Sequence, residues 1–580
     1  MAEQLILKNL EFIKVLPGWA QELSYKYCSE TANLYLIHGN IRDFLPNKMY
    51  EGEFVFVRIQ EFISEVLFGN KDIIVFYDRS SGINFCDREM QNDYLNMMTK
   101  TFPDISEKEL MSAKPSDAFR NLEQYFMMNI SKKQRIVLII DFAETIIPNA
   151  NISELSDEDR YCLVTLNRWA HDPIFTQGDI SIMLLSENLS DVNSRLVRSP
   201  NTVKLSIPLP DHNVRKAFLE FTARRDYLLL ESRLNAERVA SITSGLNLMN
   251  LNQIAAESFQ EDRTITLDFL RDKKKEIIEN EAASLLEFIE TEHDLSMVAG
   301  NDFIKSRLKN AAKAIKKGQL EVLPMGYLIA GPVGTGKTFL VTAFAGEVGI
   351  PIVKFKAGWA GASDANFDKV MNIIKAMSPV GVLIDEADTL LGHGSKNNRS
   401  SGGSLFARIA DFMGNTAYRG KIIWFIVTNR PDLIPIDLKR QGRAEEHLAL
   451  FFPQSDSEID ELFTILLQKL KLKTSGFSAS RILRKYKLTL SGADLEAILI
   501  RSRFNAALDN RVIISNDDIE STAREFLPPT YPHEIDLQNL AAVLECTSRD
   551  MIPEQFRNIE KNQIVDEIKQ LKILLGEVGK

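Results

Sequence analysis

At 580 residues, with 45% hydrophobic and 26% charged side chains, the chain is too long for one core and has the make-up of a folded protein of roughly two to four domains. A formal net charge of −10 argues against nucleic acid as a partner, because a non-specific grip on phosphates comes mainly from Lys and Arg. Four cysteines (Cys28, Cys86, Cys162, Cys546) stand far apart, so neither a zinc site nor a disulfide framework is indicated; with no apolar run approaching about 18 residues, no signal peptide or membrane is expected and the cytoplasm is the expected location.

In chain order, Ile6, Leu10 and Ile13 fall at helical spacing, and the N-terminal segment 1–30 is expected to hold a helix that ends before Pro17 and docks on its own domain. Over 31–272, apolar β-type runs at 33–37, 72–77, 136–141, 180–185 and 203–207 alternate with helical stretches. This predicts a parallel sheet covered by helices, with a small helical lid after it over 212–260. A charged helix around 273–292 is predicted to link the halves, the linker occupying 273–293. The domain 294–455 repeats the pattern with runs at 326–330, 352–355, 382–385, 422–428 and 447–450, and a second lid follows at 456–525. In the tail, 526–580, residues 564–575 carry an apolar face at helical spacing, suited to cap a lid or a neighbouring subunit. The expected fold class is α/β: two tandem domains with parallel sheets, each followed by a helical lid.

Between the strand 326–330 and an apolar helical stretch lie Gly331, Pro332, Val333, Gly334, Thr335, Gly336, Lys337 and Thr338, the spacing of a P-loop. Glycines let successive backbone N–H groups point inward at phosphate oxygens, Lys337 adds a mobile cation, and the Thr338 hydroxyl is a ligand for Mg2+. Asp385 ends an apolar strand at the sheet edge where ligands of open α/β sheets bind, so it is expected to hold Mg2+ with Thr338, mostly through water. Glu386, next in the chain, is the expected base that orients and deprotonates attacking water. Asn429, just past the strand 422–428, offers an uncharged amide to that water and to the γ-phosphate. Arg440 and Arg443 flank a turn from which guanidinium groups can reach a neighbour's phosphate.

The chain also repeats itself. Residues 138–146 match 382–390, setting Asp141 against Asp385 but Phe142 against Glu386; Ser244 and Gly245 match Ser491 and Gly492. Where the second copy has its P-loop, the first offers only His38, Gly39 and Asn40, and of the arginine pair only Arg198 persists, with Asn201 in the second position. The first copy is therefore expected to be structural or regulatory, with one working site per chain.

These motifs resemble the AAA branch of the AAA+ ATPases over about 294–510, preceded by a degenerate AAA-like domain. Gly331–Thr338 is similar to its Walker A motif, 382–388 to Walker B, 428–432 to sensor 1, Arg440 and Arg443 to its arginine-finger pair, and 491–495 to the lid motif. The resemblance implies that Gly492, Ala493 and Phe339 approach the nucleotide and that Val298 and Ala299, in the segment 294–300, contact adenine. Trp359 and Ala360 resemble the pore-loop element that grips substrate, and 392–403 a second pore loop. The implied cofactors are ATP and Mg2+. The implied assembly is a homo-oligomer, a hexameric ring that remodels or unfolds a protein substrate, the alternative being a nucleotide-controlled scaffold with slow hydrolysis.

Overall fold

The computed structural model describes residues 10–577 except 31, 51–52, 225–229, 232–233, 262, 283–284, 290, 292, 357–363, 392–401, 475–477, 487–489 and 528–530. Trp359, Ala360 and nearly all of 392–403 therefore lie outside the described residues. The chain divides into two compact units, 1–282 with 363–376 and 283–362 with 377–580.

The first unit is built on strands β1 (Leu34–Gly39), β4 (Ile73–Asp78), β5 (Gly82–Phe85), β6 (Ile136–Ile140), β7 (Ile180–Ser186) and β8 (Thr202–Ile207), ordered β5-β4-β6-β7-β1-β8. Every neighbouring pair is parallel except β5 on β4. A short antiparallel hairpin, β2 (Leu45–Tyr50) and β3 (Glu53–Val57), stands apart from it. The central strands β6 and β7 are buried along their whole length, as expected of parallel strands covered on both faces. The pleat sends Leu34 and Leu36 into one core with Trp169, and Tyr35 and Ile37 into another with Trp19 and Leu23 of the helix Gly18–Cys28. The N-terminal helices thus dock on their own domain. Helices His212–Ala223, Ala236–Ile242, Leu248–Gln260 and Leu267–Glu281 follow.

In the second unit the sheet is β14-β10-β13-β12-β11-β9, formed by β9 (Leu286–Ile289), β10 (Gly326–Ala330), β11 (Ile352–Phe355), β12 (Val380–Ile384), β13 (Ile422–Thr428) and β14 (Glu446–Ala449). All pairs are parallel except β9 on β11. Read from the opposite edge, the first sheet has the same order in its five parallel strands, so β1 and β10, and β6 and β12, are counterparts. The antiparallel edge differs: the first unit makes it from the strand after β4, the second from the segment before β10.

Those two edge strands and the hairpin were not legible in the hydrophobic pattern, because edge strands are short and half solvated. The segment predicted as one charged linking helix is split: the helix ends at Glu281 and the chain then pairs as β9. Lid helices Asp456–Lys469, Ala479–Tyr486, Gly492–Leu508 and Asn516–Glu525 surround a separate core that includes Leu466, Ile498 and Ile519. In the tail, helices Pro532–Glu545 and Lys561–Leu574 bring Leu537, Leu540, Ile564, Ile568 and Leu571 against Ala330, Ala449 and Phe451. The apolar face of the last helix therefore packs on the helix Pro532–Glu545, which in turn lies against β14 of the same unit.

Candidate nucleotide site

The loop leaving β10 turns at Gly331, whose φ of +145° suits glycine and where a Cβ would run into the Leu450 carbonyl oxygen. Gly334, at φ +84°, lies so close to Ser491 that loop and lid touch through it. The helix Lys337–Val348 then starts with its N-terminus at the loop, where orphan N–H groups and the helix dipole favour an anion. Lys337 is buried, and its Nζ donates to the carbonyls of Gly331 (2.9 Å) and Pro332 (2.7 Å). Burial lowers its pKa to about 8, against the opposing pull of Asp385 and Asp388.

At the end of the fully buried β12, both Asp385 carboxylate oxygens lie near the Thr338 hydroxyl, which donates at 3.2 and 3.3 Å. Glu386 takes a left-handed conformation, φ +49°, and its N–H donates to Asp385 Oδ1 at 3.1 Å. That turn leaves the Glu386 side chain exposed. With Asn429 and Thr428 at the end of β13, these groups line one cavity of about 270 Å3. Thr428 Oγ1 donates to Asp388 at 2.7 Å, which ties β13 to the helix Ala387–Leu391. Two hard oxygen ligands facing a small polar cavity suit Mg2+, which keeps several waters and draws its remaining ligands from phosphates. No cluster of three or more His, Cys, Asp or Glu side chains suited to a metal occurs among the described residues.

A larger cavity, about 900 Å3, adjoins the outer side of the loop and is bordered by Val298, Ala299, Phe339, Gly492 and Ala493. The Gly300 N–H donates to Glu461 of the lid at 3.0 Å, which anchors the segment carrying Val298 and Ala299. Gly492 opens a lid helix whose start is closed by a Ser491–Asp494 capping box. The structure thus gathers the loop, Asp385, Glu386 and Asn429 on one cavity and Val298, Ala299, Gly492 and Ala493 on the next. The two arginines are not among the residues lining either cavity. Arg440 is exposed, its guanidinium 3.8 Å from Asp437. Arg443 is buried and donates to the Asp437 carbonyl at 2.7 Å.

Several contacts around the site were not legible in the sequence. Gln538 of the tail accepts from the Val333 N–H at 3.0 Å. Arg430, directly after Asn429, is held by Asp432 and, through two bonds at 2.9 and 2.8 Å, by Glu577. Glu545 pairs with Lys439 and His447 beside the arginine turn. The tail therefore grips the loop, the Asn429 turn and the arginine turn at once. Lys354 pairs with Asp385 at 2.7 Å, and a charge inside the short apolar run of β11 was the only signal for it.

The first unit reproduces the scaffold and fills the site. Phe142 has φ +51° and donates its N–H to Asp141 at 2.7 Å, the same turn as Asp385 and Glu386. Gly39, at φ +96°, abuts the Ile207 carbonyl as Gly331 abuts Leu450. However, Arg42 pairs with Asp141 at 2.8 Å and stacks over Phe142 at 4.0 Å, and Gln60 donates to Asp141 at 3.0 Å. Next to it, buried Asp43 accepts the N–H groups of Leu248 and Met249, both at 2.9 Å, at the start of a lid helix. Burial pushes the Asp43 carboxyl up, against the N–H donors that favour its charged form. His38, whose pKa is lowered by burial and by Lys204, lies next to last in β1 without joining this cluster.

Comparison with known families gives three matches along the chain. The model of the AAA+ chaperone N-terminal Rossmann-like domain matches residues 10–208, that of the AAA+ chaperone second helical domain 213–283, and that of the ATPase family associated with various cellular activities 327–451. The chain is similar to an uncharacterized AAA domain-containing protein ycf46 of Guillardia theta, 25% identical over 60% of this chain and 70% of that protein. It is 30% identical to the cell division control protein 48 homolog C of Arabidopsis thaliana over 36% of this chain and 27% of that protein. To the ATP-dependent zinc metalloprotease FtsH of Mycoplasma pneumoniae it is also 30% identical, over 40% of this chain and 32% of that protein. The chain belongs to the AAA+ ATPase family: an AAA+ chaperone N-terminal domain and second helical domain precede a C-terminal AAA domain.

Proposed function

We propose that the protein is a Mg2+-dependent ATPase with one active site per chain, working as a ring-shaped homo-oligomer, hexameric by family analogy, that remodels or unfolds a protein substrate in the cytoplasm. The observation that carries this reading is the contrast between two copies of one scaffold. In the second, Lys337, Thr338, Asp385, Glu386 and Asn429 converge on an open cavity; in the first, Arg42 and Gln60 take up Asp141 at the corresponding turn, and Asp43 beside Arg42 caps the lid helix.

In the working copy, the backbone N–H groups of Gly334–Thr338 cradle the phosphates, and Lys337 leaves its carbonyl partners to meet them. Thr338 and Asp385 are the residues that hold Mg2+, which when bound neutralises and orients the phosphate oxygens. Glu386, carried outward by its left-handed turn, accepts a proton from the attacking water, while Asn429 orients that water without neutralising Glu386. Val298, Ala299, Gly492 and Ala493 hold the base, so lid and loop close on one ligand. Arg440, exposed on its turn, reaches the phosphate of the adjacent subunit, and Arg443 braces the turn from within. The substrate grip falls to Trp359 and Ala360.

The test is Glu386→Gln, which keeps the shape of the side chain and removes its basicity. ATP binding is retained and turnover falls by roughly two to four orders of magnitude, the range for loss of a general base. Hydrolysis at the wild-type rate would dismiss Glu386 as the base. Lys337→Ala loses ATP binding. Co-assembly of Arg440→Ala/Arg443→Ala subunits with Glu386→Gln subunits restores activity if the arginines act across the interface; co-assembly without rescue counts against it.

A further inference from the structure

Lys354 sits on β11, where Ile352, Val353 and Phe355 are buried while its own side chain is one-third exposed. It lies opposite Leu383 of β12, two residues before Asp385, so its four-carbon stem runs along the strand direction to the sheet's edge. There its Nζ meets Asp385 Oδ2 at 2.7 Å. The remaining hydrogen bonds on Asp385 come from the Thr338 hydroxyl and the Glu386 N–H, the latter on Oδ1. The ammonium thus holds one oxygen of the two groups suited to Mg2+, on the side of Asp385 away from the Glu386 turn.

We infer that Lys354 is a built-in cation of the metal subsite: it neutralises Asp385 when Mg2+ is absent and gives way when the Mg2+–nucleotide complex enters. The inference rests on the ATP-binding reading above. Two cations a few ångströms apart on one carboxylate repel, so each weakens the hold of the other. Without Mg2+, the same ammonium spares an incoming polyphosphate the repulsion of a bare carboxylate. Lys354 accordingly lowers the metal's share in nucleotide binding from both directions, and it is a positioning residue for the metal rather than a group that touches the reacting atoms.

The experiment is equilibrium binding of N-methylanthraniloyl-ATP, followed by fluorescence, to full-length wild type, Lys354→Met and Lys354→Arg, once across a Mg2+ titration and once in excess EDTA. For Lys354→Met, the Mg2+ concentration at half-effect falls by roughly two- to fivefold, while affinity in EDTA drops by a similar factor, the range expected for one partly exposed ion pair. Lys354→Arg keeps the wild-type behaviour in both. Opposite signs in the two arms are the signature, since a merely structural lysine would move both the same way or neither. Lys354→Gln, whose side chain is one atom shorter but keeps a donor without the charge, carries the same test where the Met variant does not fold. A metal profile and EDTA affinity unchanged from wild type, or a raised Mg2+ requirement, overturns the inference and leaves the ATP-binding reading standing. Failure of the wild type to bind the probe under any condition overturns both.

Discussion

Glu577→Gln tests whether the C-terminal tail holds the Asn429 turn in place. The carboxylate receives two charge-assisted bonds from Arg430, at 2.9 and 2.8 Å, and Arg430 keeps Asp432 on its other edge. Charge-assisted hydrogen bonds contribute about 1.5–3 kcal/mol. The Glu577 side chain is 28% exposed, so screening favours the lower end, and glutamine retains one acceptor; the loss is about 1.5 kcal/mol, roughly tenfold in the tail's docking equilibrium. Hydrogen–deuterium exchange of the helix Lys561–Leu574 should rise by about that factor, and 1 M salt should loosen the wild type in the same direction. ATP turnover falls more than ATP affinity, because Arg430 adjoins Asn429 rather than the phosphate loop. A folded variant with unchanged exchange across that helix would refute the reasoning.

The Glu545–His447 pair gives a pH dependence. Burial opposes charge on His447, but the Glu545 hydrogen bond and charge outweigh it and raise the pKa above its ordinary 6.5; the Glu545 pKa is lowered from 4.5, its pairing with His447 and Lys439 outweighing burial. The histidine's contribution is fully present below 6.5 and is lost as pH rises through the raised value; the carboxylate's is present above 4.5 and is lost as pH falls through the lowered one. Tail protection is therefore greatest between 4.5 and 6.5, and His447→Asn flattens its alkaline side in the exchange experiment. Asp43→Ala removes the acceptor of two helix-start N–H groups and costs the first domain about 1–2 kcal/mol in denaturant unfolding, with nucleotide stoichiometry still one per chain; a second bound nucleotide would contradict the filled-site reading. Arg440→Ala lowers turnover at unchanged melting temperature, whereas Arg443→Ala, which removes a buried guanidinium, lowers the melting temperature as well; identical effects from both would contradict the division of roles.

Much of the fold was legible because its determinants are local. Wholly buried parallel strands such as β10 and β13 read as unbroken apolar runs, and these two and β11 span the expected residues. The tandem arrangement was legible because Asp141 and Asp385 sit at the same place in the same strand–turn pattern, and the structure gives both turns a left-handed residue next. The edge strands and the hairpin were not legible, since a half-solvated strand of four to six residues carries no pattern distinct from a loop. Nor were the tail's contacts: Gln538 and Glu577 are ordinary helical and terminal polar residues until the chain brings them beside Val333 and Arg430.

By itself the sequence determined that one half carries a phosphate loop with acidic partners and the other does not, because that chemistry lies in short contiguous motifs whose backbone geometry is local. Only the tertiary structure decided what fills the first site, what ties the tail to the second, and that Lys354 stands at Asp385. Those contacts join residues 31 to 205 positions apart, and side chains so distant in sequence meet only once sheet order and helix packing have set the distances between them.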